Sequence, residues 1–120
     1  MNITKRSLRE IGLYNSHDIA KKGNGKVFLS YTNNMSRWGR GKFWEVVGVG
    51  FNTNGNGPWY DYGHKTFMMW SIKEKEETLE QAKQWCLEQY GITEWEKDPF
   101  GSWHPKGTIK AALAAQAVNA

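Results

Sequence analysis

Runs of apolar residues predict three β-strands in the first two thirds of the chain. Residues 26–32 (KVFLSYT) alternate between two faces, which is the period of a strand. Residues 42–51 are rich in β-branched and aromatic side chains, and residues 65–72 (KTFMMWSI) form a third such run. The short spacing between them predicts an antiparallel meander.

Helical spacing of apolar residues predicts the main helix over residues 78–90. Its apolar positions recur at intervals of three and four, which gives one stripe for packing against a sheet. Thr78 and Gln81 have the spacing of a capping box at the start, and Gly91 is placed to end the helix. A helix packed across the sheet buries both apolar surfaces.

Two short helices are expected before the sheet. Residues 4–12 have Thr4 as the cap, and residues 16–23 have Ser16 in the same position. Both segments end at a glycine and carry basic residues in their last turn.

The last part of the chain is aromatic and then rich in alanine. Residues 92–107 have no clear periodicity, and we expect them to wrap the domain and complete its core. Residues 108–120 favour a helix, but an alanine-rich segment of this length is marginal alone. It either docks on the domain or frays.

These elements predict one α+β domain in 120 residues. We expect a helical clip at residues 1–25, a three-stranded antiparallel sheet with one main helix at residues 26–91, and a wrapping aromatic tail at residues 92–120. The chain has no stretch of about 18 apolar residues, so no membrane partner is expected.

The composition adds 7 Trp, 5 Tyr and 5 Phe, which is too aromatic for a disordered chain. We divide these residues into two groups. The expected core group is Phe28, Phe43, Phe67, Trp70, Trp85 and Tyr90, and the expected loop group is Trp38, Trp59, Tyr60 and Tyr62.

The net charge of +4 is unevenly distributed. Residues 1–42 contain nine Lys or Arg and two acidic residues, whereas residues 43–120 contain seven basic and ten acidic residues. A basic first third is typical of a protein that faces a polyanion or an acidic partner, although a solvated surface has the same composition.

Cysteine content and the N-terminus indicate a cytoplasmic protein. Cys86 is the single cysteine, so the chain forms no internal disulfide, as expected in a reducing compartment. The first ten residues lack the apolar segment of a secretory signal. If a phage encodes the chain, the expected location is the host cytoplasm.

The best candidate for binding chemistry is the segment of residues 37–44 (RWGRGKFW). Cations bind phosphates and aromatic rings stack on bases, so this mixture favours nucleic-acid binding. A hairpin turn with solvated charges is the alternative. Together with the aromatic loop at residues 52–64, the predicted binding residues are Lys26, Arg37, Trp38, Arg40, Lys42, Trp44, Trp59, Tyr60 and Tyr62.

The tripeptide Trp38-Gly39-Arg40 resembles the signature of the WGR domain, a small nucleic-acid-binding module. In that family the motif lies a short way before the helix. Here two predicted strands separate Arg40 from Thr78, so we do not assign the chain to that family.

Other functions stay open. Loops of Trp, Tyr, Gly and Asn are typical of protein-binding surfaces, and the compact format resembles phage accessory proteins that modulate a host protein or defence complex. Asp61 and His64 have the spacing of an acid–base pair but lack a nucleophile motif. No phosphate-loop, cofactor or metal-ligand spacing is present, so a non-enzymatic binding protein without cofactors is expected.

Overall fold

A five-stranded antiparallel sheet, in the order β3-β2-β1-β5-β4, organises the molecule. The structure is a computed structural model and describes residues 3–33, 42–50 and 60–118. The elements are α1 (Lys5–Glu10), α2 (Ser16–Lys22), β1 (Val27–Asn33), β2 (Lys42–Val49), β3 (Tyr60–Met69), α3 (Lys75–Tyr90), β4 (Trp95–Lys97), β5 (Trp103–Pro105) and α4 (Thr108–Val118). A 3-10 turn at Ile72–Glu74 precedes α3.

The α+β class and the antiparallel sheet are confirmed, but the prediction of three strands is wrong. The tail forms the hairpin β4–β5, and β5 joins the sheet where Trp103 pairs with Leu29. Strands of three residues are too short for a period of two to stand out in a sequence. The tail adds two strands to the sheet, and its residues Trp95 and Trp103 pack against the main core.

The first half of β1 is buried on both faces of the sheet. On one face Val27 and Leu29 pack with Leu79 of α3, and on the other Phe28 packs with Ala20 of α2. A strand covered on both faces reads as a continuous apolar run rather than a clean alternation. Residues 27–29 accordingly belong to the centre of the core.

The helix boundaries follow capping chemistry. The Thr4 side chain accepts a hydrogen bond from the backbone of Ser7, as predicted, but Asn15 rather than Ser16 caps α2. The helix α3 begins at Lys75, before the predicted Thr78, because the preceding 3-10 turn carries the capping box. Gly91 ends α3 with φ 71°, in the left-handed conformation that glycine tolerates.

The alanine-rich helix α4 docks on the N-terminal helices. Ile109 and Ala112 are buried with Leu8, Leu13 and Ile19. Gly23 lies so close to α4 that an added Cβ would stand 2.7 Å from the Thr108 carbonyl oxygen. Tertiary packing therefore supplies the stability that a short isolated helix lacks.

One aromatic residue of the expected core group is exposed instead. Phe28 is fully buried, and Phe67, Trp85 and Tyr90 pack on the main core, but Trp70 is 96% exposed. Its assignment to the core is wrong. Across residues 3–33, 42–50 and 60–118, no helix is long and apolar enough to cross a membrane.

Candidate functional site

The predicted binding residues divide between two ends of the sheet. Lys42 begins β2, where it pairs with Asn33 of β1 and Met69 of β3. Arg37, Trp38 and Arg40 belong to the connection between β1 and β2, and they lie outside the described residues. We call this the Lys42 end of the sheet.

The remaining predicted residues belong to the opposite end. Lys26 is exposed just before β1, and its carbonyl accepts a 2.6 Å hydrogen bond from the backbone of Val49. Tyr60 and Tyr62 lie on the first residues of β3, and Trp59 lies outside the described residues. A strand of seven residues spans about 20 Å, so the predicted set does not form one patch.

Trp44 is a core residue rather than a surface contact. It is 2% exposed, its ring lies 5.3 Å from that of Tyr31, and its indole N–H donates a 3.0 Å hydrogen bond to the Lys75 carbonyl. A ring with no accessible face cannot stack on a base. The sequence pattern grouped Trp44 with the loop because it follows the basic residues directly.

Trp70 supplies exposed aromatic surface at the Lys42 end. Its neighbour Met69 is buried and pairs with Lys42. The backbone N–H of Trp70 donates a 2.7 Å hydrogen bond to the Glu74 carboxylate. The backbone is thus fixed on both sides of an exposed ring. Met68 and Ile72, at alternate positions on either side, are 49% and 54% exposed.

Sequence reasoning missed Trp70 because both alternating sets in residues 65–72 are apolar. Phe67 and Met69 face α3, whereas Met68 and Trp70 face away from it. A register shift of one residue exchanges the two faces of a strand, and this sequence does not specify which set is inside. The available signal was the excess of apolar residues itself, since the one predicted main helix covers only one face of the sheet.

A second site, which the sequence did not indicate, lies beside the second half of β1. Within the described residues, β1 pairs with β5 only at Leu29, so its edge opens from Ser30 onward. A cleft of about 410 Å³ follows, between the first residues of α2, the first residues of α3 and the β4–β5 turn. We call it the β1 cleft.

Cations lie over the aromatic rings of the β1 cleft. The Lys75 ammonium nitrogen is 4.0 Å from the centroid of the Tyr31 ring. Trp103 has Lys83 at 4.0 Å and Lys97 at 5.9 Å from its centroid. Such contacts hold a charged group in a defined place at the surface.

Phe100 repeats the arrangement at the β4–β5 turn. Lys5 and Arg9 of α1 lie 5.9 Å and 6.0 Å from the centroid of its ring. Tyr31, Trp103 and Phe100 all line the β1 cleft, and Glu76 is the one acidic side chain among its lining residues in the described structure. The cleft is therefore aromatic and surrounded mainly by positive charge.

Burial affects the hydrogen bonding of one polar side chain in the β1 cleft and the pKa of another. The Tyr31 hydroxyl is shielded from solvent and has no hydrogen-bond partner among the described residues. Burial lowers the pKa of His17, with Asp18 opposing the shift and His104 adding to it. His17 is thus favoured in its neutral form.

A buried Asp98–His104 pair holds the turn that carries Phe100. The Asp98 carboxylate accepts hydrogen bonds from the Phe100 N–H at 2.8 Å, the Ser102 N–H at 3.0 Å and His104 Nε2 at 2.6 Å. Burial opposes ionisation, but these bonds, together with one from Ser16, hold the Asp98 pKa below its usual value. The pair is fully buried, which favours a structural role over a catalytic one.

The candidate acid–base residues Asp61 and His64 are both part of a strand. Both lie on β3 rather than in a loop, and Asp61 pairs with Gly48 across the sheet. His64 bonds the Tyr90 hydroxyl and contacts the ring of Trp85 on α3. In the part of the chain that the structure describes, no group of three or more His, Cys, Asp or Glu side chains is placed to hold a metal ion.

Comparison with known proteins gives no relative: no protein family, curated protein or solved structure matches the chain. The resemblance to the WGR domain therefore stays limited to residues 38–40. The features of the molecule that bear on its function are the Lys42 end and the β1 cleft.

Proposed function

We propose that the protein binds nucleic acid at the Lys42 end of the sheet. The observation that carries the proposal is the 96% exposure of Trp70 beside Lys42, on a backbone fixed by Glu74. The segment with Arg37, Trp38 and Arg40 enters and leaves the sheet at this same end. Cations that attract phosphates and a ring that stacks on bases are the two components of sequence-tolerant single-strand binding.

A fixed Trp70 suits this role energetically. A base that stacks on an aromatic side chain contributes about 1–3 kcal/mol, and an immobile backbone reduces the entropy lost on binding. Lys73 and Lys65 are also exposed on the segment around Trp70. Single strands are favoured over duplexes, because a projecting ring needs an unstacked base.

The first test is salt dependence. Binding of single-stranded and duplex oligonucleotides, measured by fluorescence anisotropy, should weaken steeply as salt rises, since counterions are released from phosphates. The double variant Arg37→Ala/Arg40→Ala should bind more weakly and lower the slope of the salt plot by about 0.7 for each lost contact. Lys106→Ala, an exposed cation paired with Glu94 far along the chain, is the matched control. Unchanged binding in the double variant would exclude this segment.

The second test concerns stacking. Trp70→Ala should weaken binding of a single strand by about fivefold or more, because one stacked base is lost. Tyr14→Ala removes another exposed aromatic ring, 63% exposed between α1 and α2, and should leave the affinity unchanged. Equal losses in the two variants would contradict a specific role for Trp70.

A second candidate function is the binding and modulation of a host protein by a phage-type accessory protein. The row of exposed Met68, Trp70 and Ile72 favours it, because aromatic and methionine side chains are enriched in protein interfaces. The loop residues Trp59, Tyr60 and Tyr62 and residues 37–42 would extend the contact. A pull-down from host lysate separates the two functions: a partner retained after nuclease treatment supports protein binding, and loss of every partner counts against it.

A further inference from the structure

We infer that the β1 cleft binds a single nucleotide unit, with the phosphate among its lysines and the planar base among its aromatic rings. The inference extends the proposed function to a site about 15 Å from Trp70, but it can hold or fail independently. Tyr31, Trp44 and Phe67 lie in one row across β1, β2 and β3, and Trp70 follows three residues after Phe67. The distance of about 15 Å follows from two interstrand spacings across the sheet and three residues along β3.

The size of the β1 cleft fits one nucleotide. Its volume of about 410 Å³ lies near the lower end of the range for small-molecule sites. A duplex is too wide to enter it, and a single phosphate would leave most of its aromatic lining uncovered. A base, a sugar and one phosphate together use both the volume and the lining.

The charge around the β1 cleft selects an anion. Lys75 and Lys97 line it together with Glu76, and Lys5 and Arg9 lie over the ring of Phe100. Lys83 lies over Trp103 and is paired with Glu80. Cation–aromatic contacts hold these ammonium and guanidinium groups in place before a ligand arrives, so less side-chain entropy is lost on binding. The carboxylate of Asp98, beside the cleft, is already used by His104 and two backbone N–H groups.

The Tyr31 hydroxyl gives the β1 cleft a specific donor. A buried hydroxyl without a partner costs free energy in the empty protein, and a ligand oxygen would relieve that cost. Tyr31 lines the cleft from the half of β1 beyond its pair with β5, and a ligand reaches the shielded hydroxyl by displacing side chains around it, such as Lys75 over the ring. A phosphate or base oxygen is the acceptor that it lacks.

The inference is tested with isothermal titration calorimetry and amide chemical-shift mapping on the full chain. The probes are uridine monophosphate, uridine and inorganic phosphate. We expect uridine monophosphate to bind more tightly than either fragment and to shift resonances of Tyr31, Lys97 and Trp103. Equal binding of inorganic phosphate would overturn the inference, because the rings would then contribute nothing, and so would the absence of saturable binding by any probe.

Two variants locate the ligand. Tyr31→Phe removes one hydroxyl and should weaken uridine monophosphate binding by about tenfold, the usual loss for a hydrogen bond to a charged group. Lys97→Gln removes a lining charge, and Lys110→Gln removes an exposed charge on α4 that does not line the cleft. Binding that is weakened equally by Lys97→Gln and Lys110→Gln would overturn the site.

A further arm identifies the source of the nucleotide. If the cleft takes the end of a strand, an oligonucleotide with a terminal phosphate should bind more tightly than the same strand with a terminal hydroxyl, and Tyr31→Phe should remove the difference. If the cleft takes free nucleotides, Tyr31→Phe should weaken the binding of uridine monophosphate and leave the binding of both oligonucleotides unchanged. A third outcome separates the two proposals. If Trp70→Ala weakens oligonucleotide binding but Tyr31→Phe changes the binding of neither ligand, the proposed function stands and the nucleotide site does not.

Discussion

The two halves of β1 have opposite surroundings. Val27, Phe28 and Leu29 are buried and pair with β2, and Leu29 also pairs with β5 on the other edge. Residues 30–33 pair with β2 alone among the described strands, and Ser30 and Tyr31 line the β1 cleft. One strand therefore contributes to the core with one half and to a candidate binding site with the other.

The difference follows from how little of β5 is available for pairing. A strand of three residues can cover only the first part of β1, and the turn at Asp98 then leads the chain away. The open edge that remains has α2 on one side and α3 on the other. The short pairing between β5 and β1 thus leaves a cleft beside the second half of β1.

The largest expected effect is on the covered half of β1. Phe28→Ala should lower the free energy of unfolding by about 3–5 kcal/mol, because a fully buried ring between Val47 and His104 leaves a cavity. Thr32→Ala, on the same face of the open half, should cost about 1 kcal/mol or less. Urea unfolding followed by circular dichroism measures both, and equal losses would contradict the division of β1.

The buried pair beside the cleft should give the next largest effect. Asp98→Asn should cost roughly 3 kcal/mol at neutral pH, since it replaces a fully buried carboxylate that accepts hydrogen bonds from His104 and two backbone N–H groups. Glu94→Gln, which removes an exposed ion pair with Lys106, should cost less than about 1 kcal/mol. The comparison is made by urea unfolding, and a similar loss in both variants would argue against a structural role for Asp98.

The same pair gives a pH dependence with a defined sign. The folded-state pKa of Asp98 lies below the unfolded value of about 3.9, so its contribution is complete above that value and is lost as pH falls toward the folded pKa. The difference in unfolding free energy between the native protein and Asp98→Asn should therefore shrink below about pH 4. A difference that is constant from pH 7 to pH 3 would assign the loss to packing instead.

The smallest expected effect is on the open half of β1, and it should not be a loss. Tyr31→Phe removes a buried hydroxyl that has no partner among the described residues, so the free energy of unfolding should stay the same or rise by up to about 1 kcal/mol. Thermal unfolding measures the change. A clear loss of stability would mean that the hydroxyl has a structural partner, and the donor assigned to the cleft would be withdrawn.

Local signals in the sequence predicted the elements that local physics determines. Thr4 and Gly91 were placed correctly, because a cap and a left-handed glycine act within one turn of helix. The three long strands were found from their composition. The hairpin β4–β5 was missed because its strands are held by pairing with β1, some seventy residues away, and no local pattern encodes that contact.

The binding residues stay a prediction, but the burial of two tryptophans differs from it. Trp44 is in the core, although it follows the basic residues directly, and Trp70 is outside the core, because residues 65–72 are apolar on both alternating faces. The β1 cleft was not visible in the sequence. Its lining comes from separate elements, with His17 on α2, Tyr31 on β1 and Trp103 on β5, and only the tertiary fold brings them together.

The docking of α4 on α1 and α2 has a consequence for biosynthesis. Leu8 and Ile19 leave the ribosome early, but the residues that cover them, Ile109 and Ala112, are added near the end of the described chain. The centre of β1 likewise waits for β5. The nascent chain must therefore carry this apolar surface exposed until residues 109–112 have left the ribosome, and this part of the core closes only then.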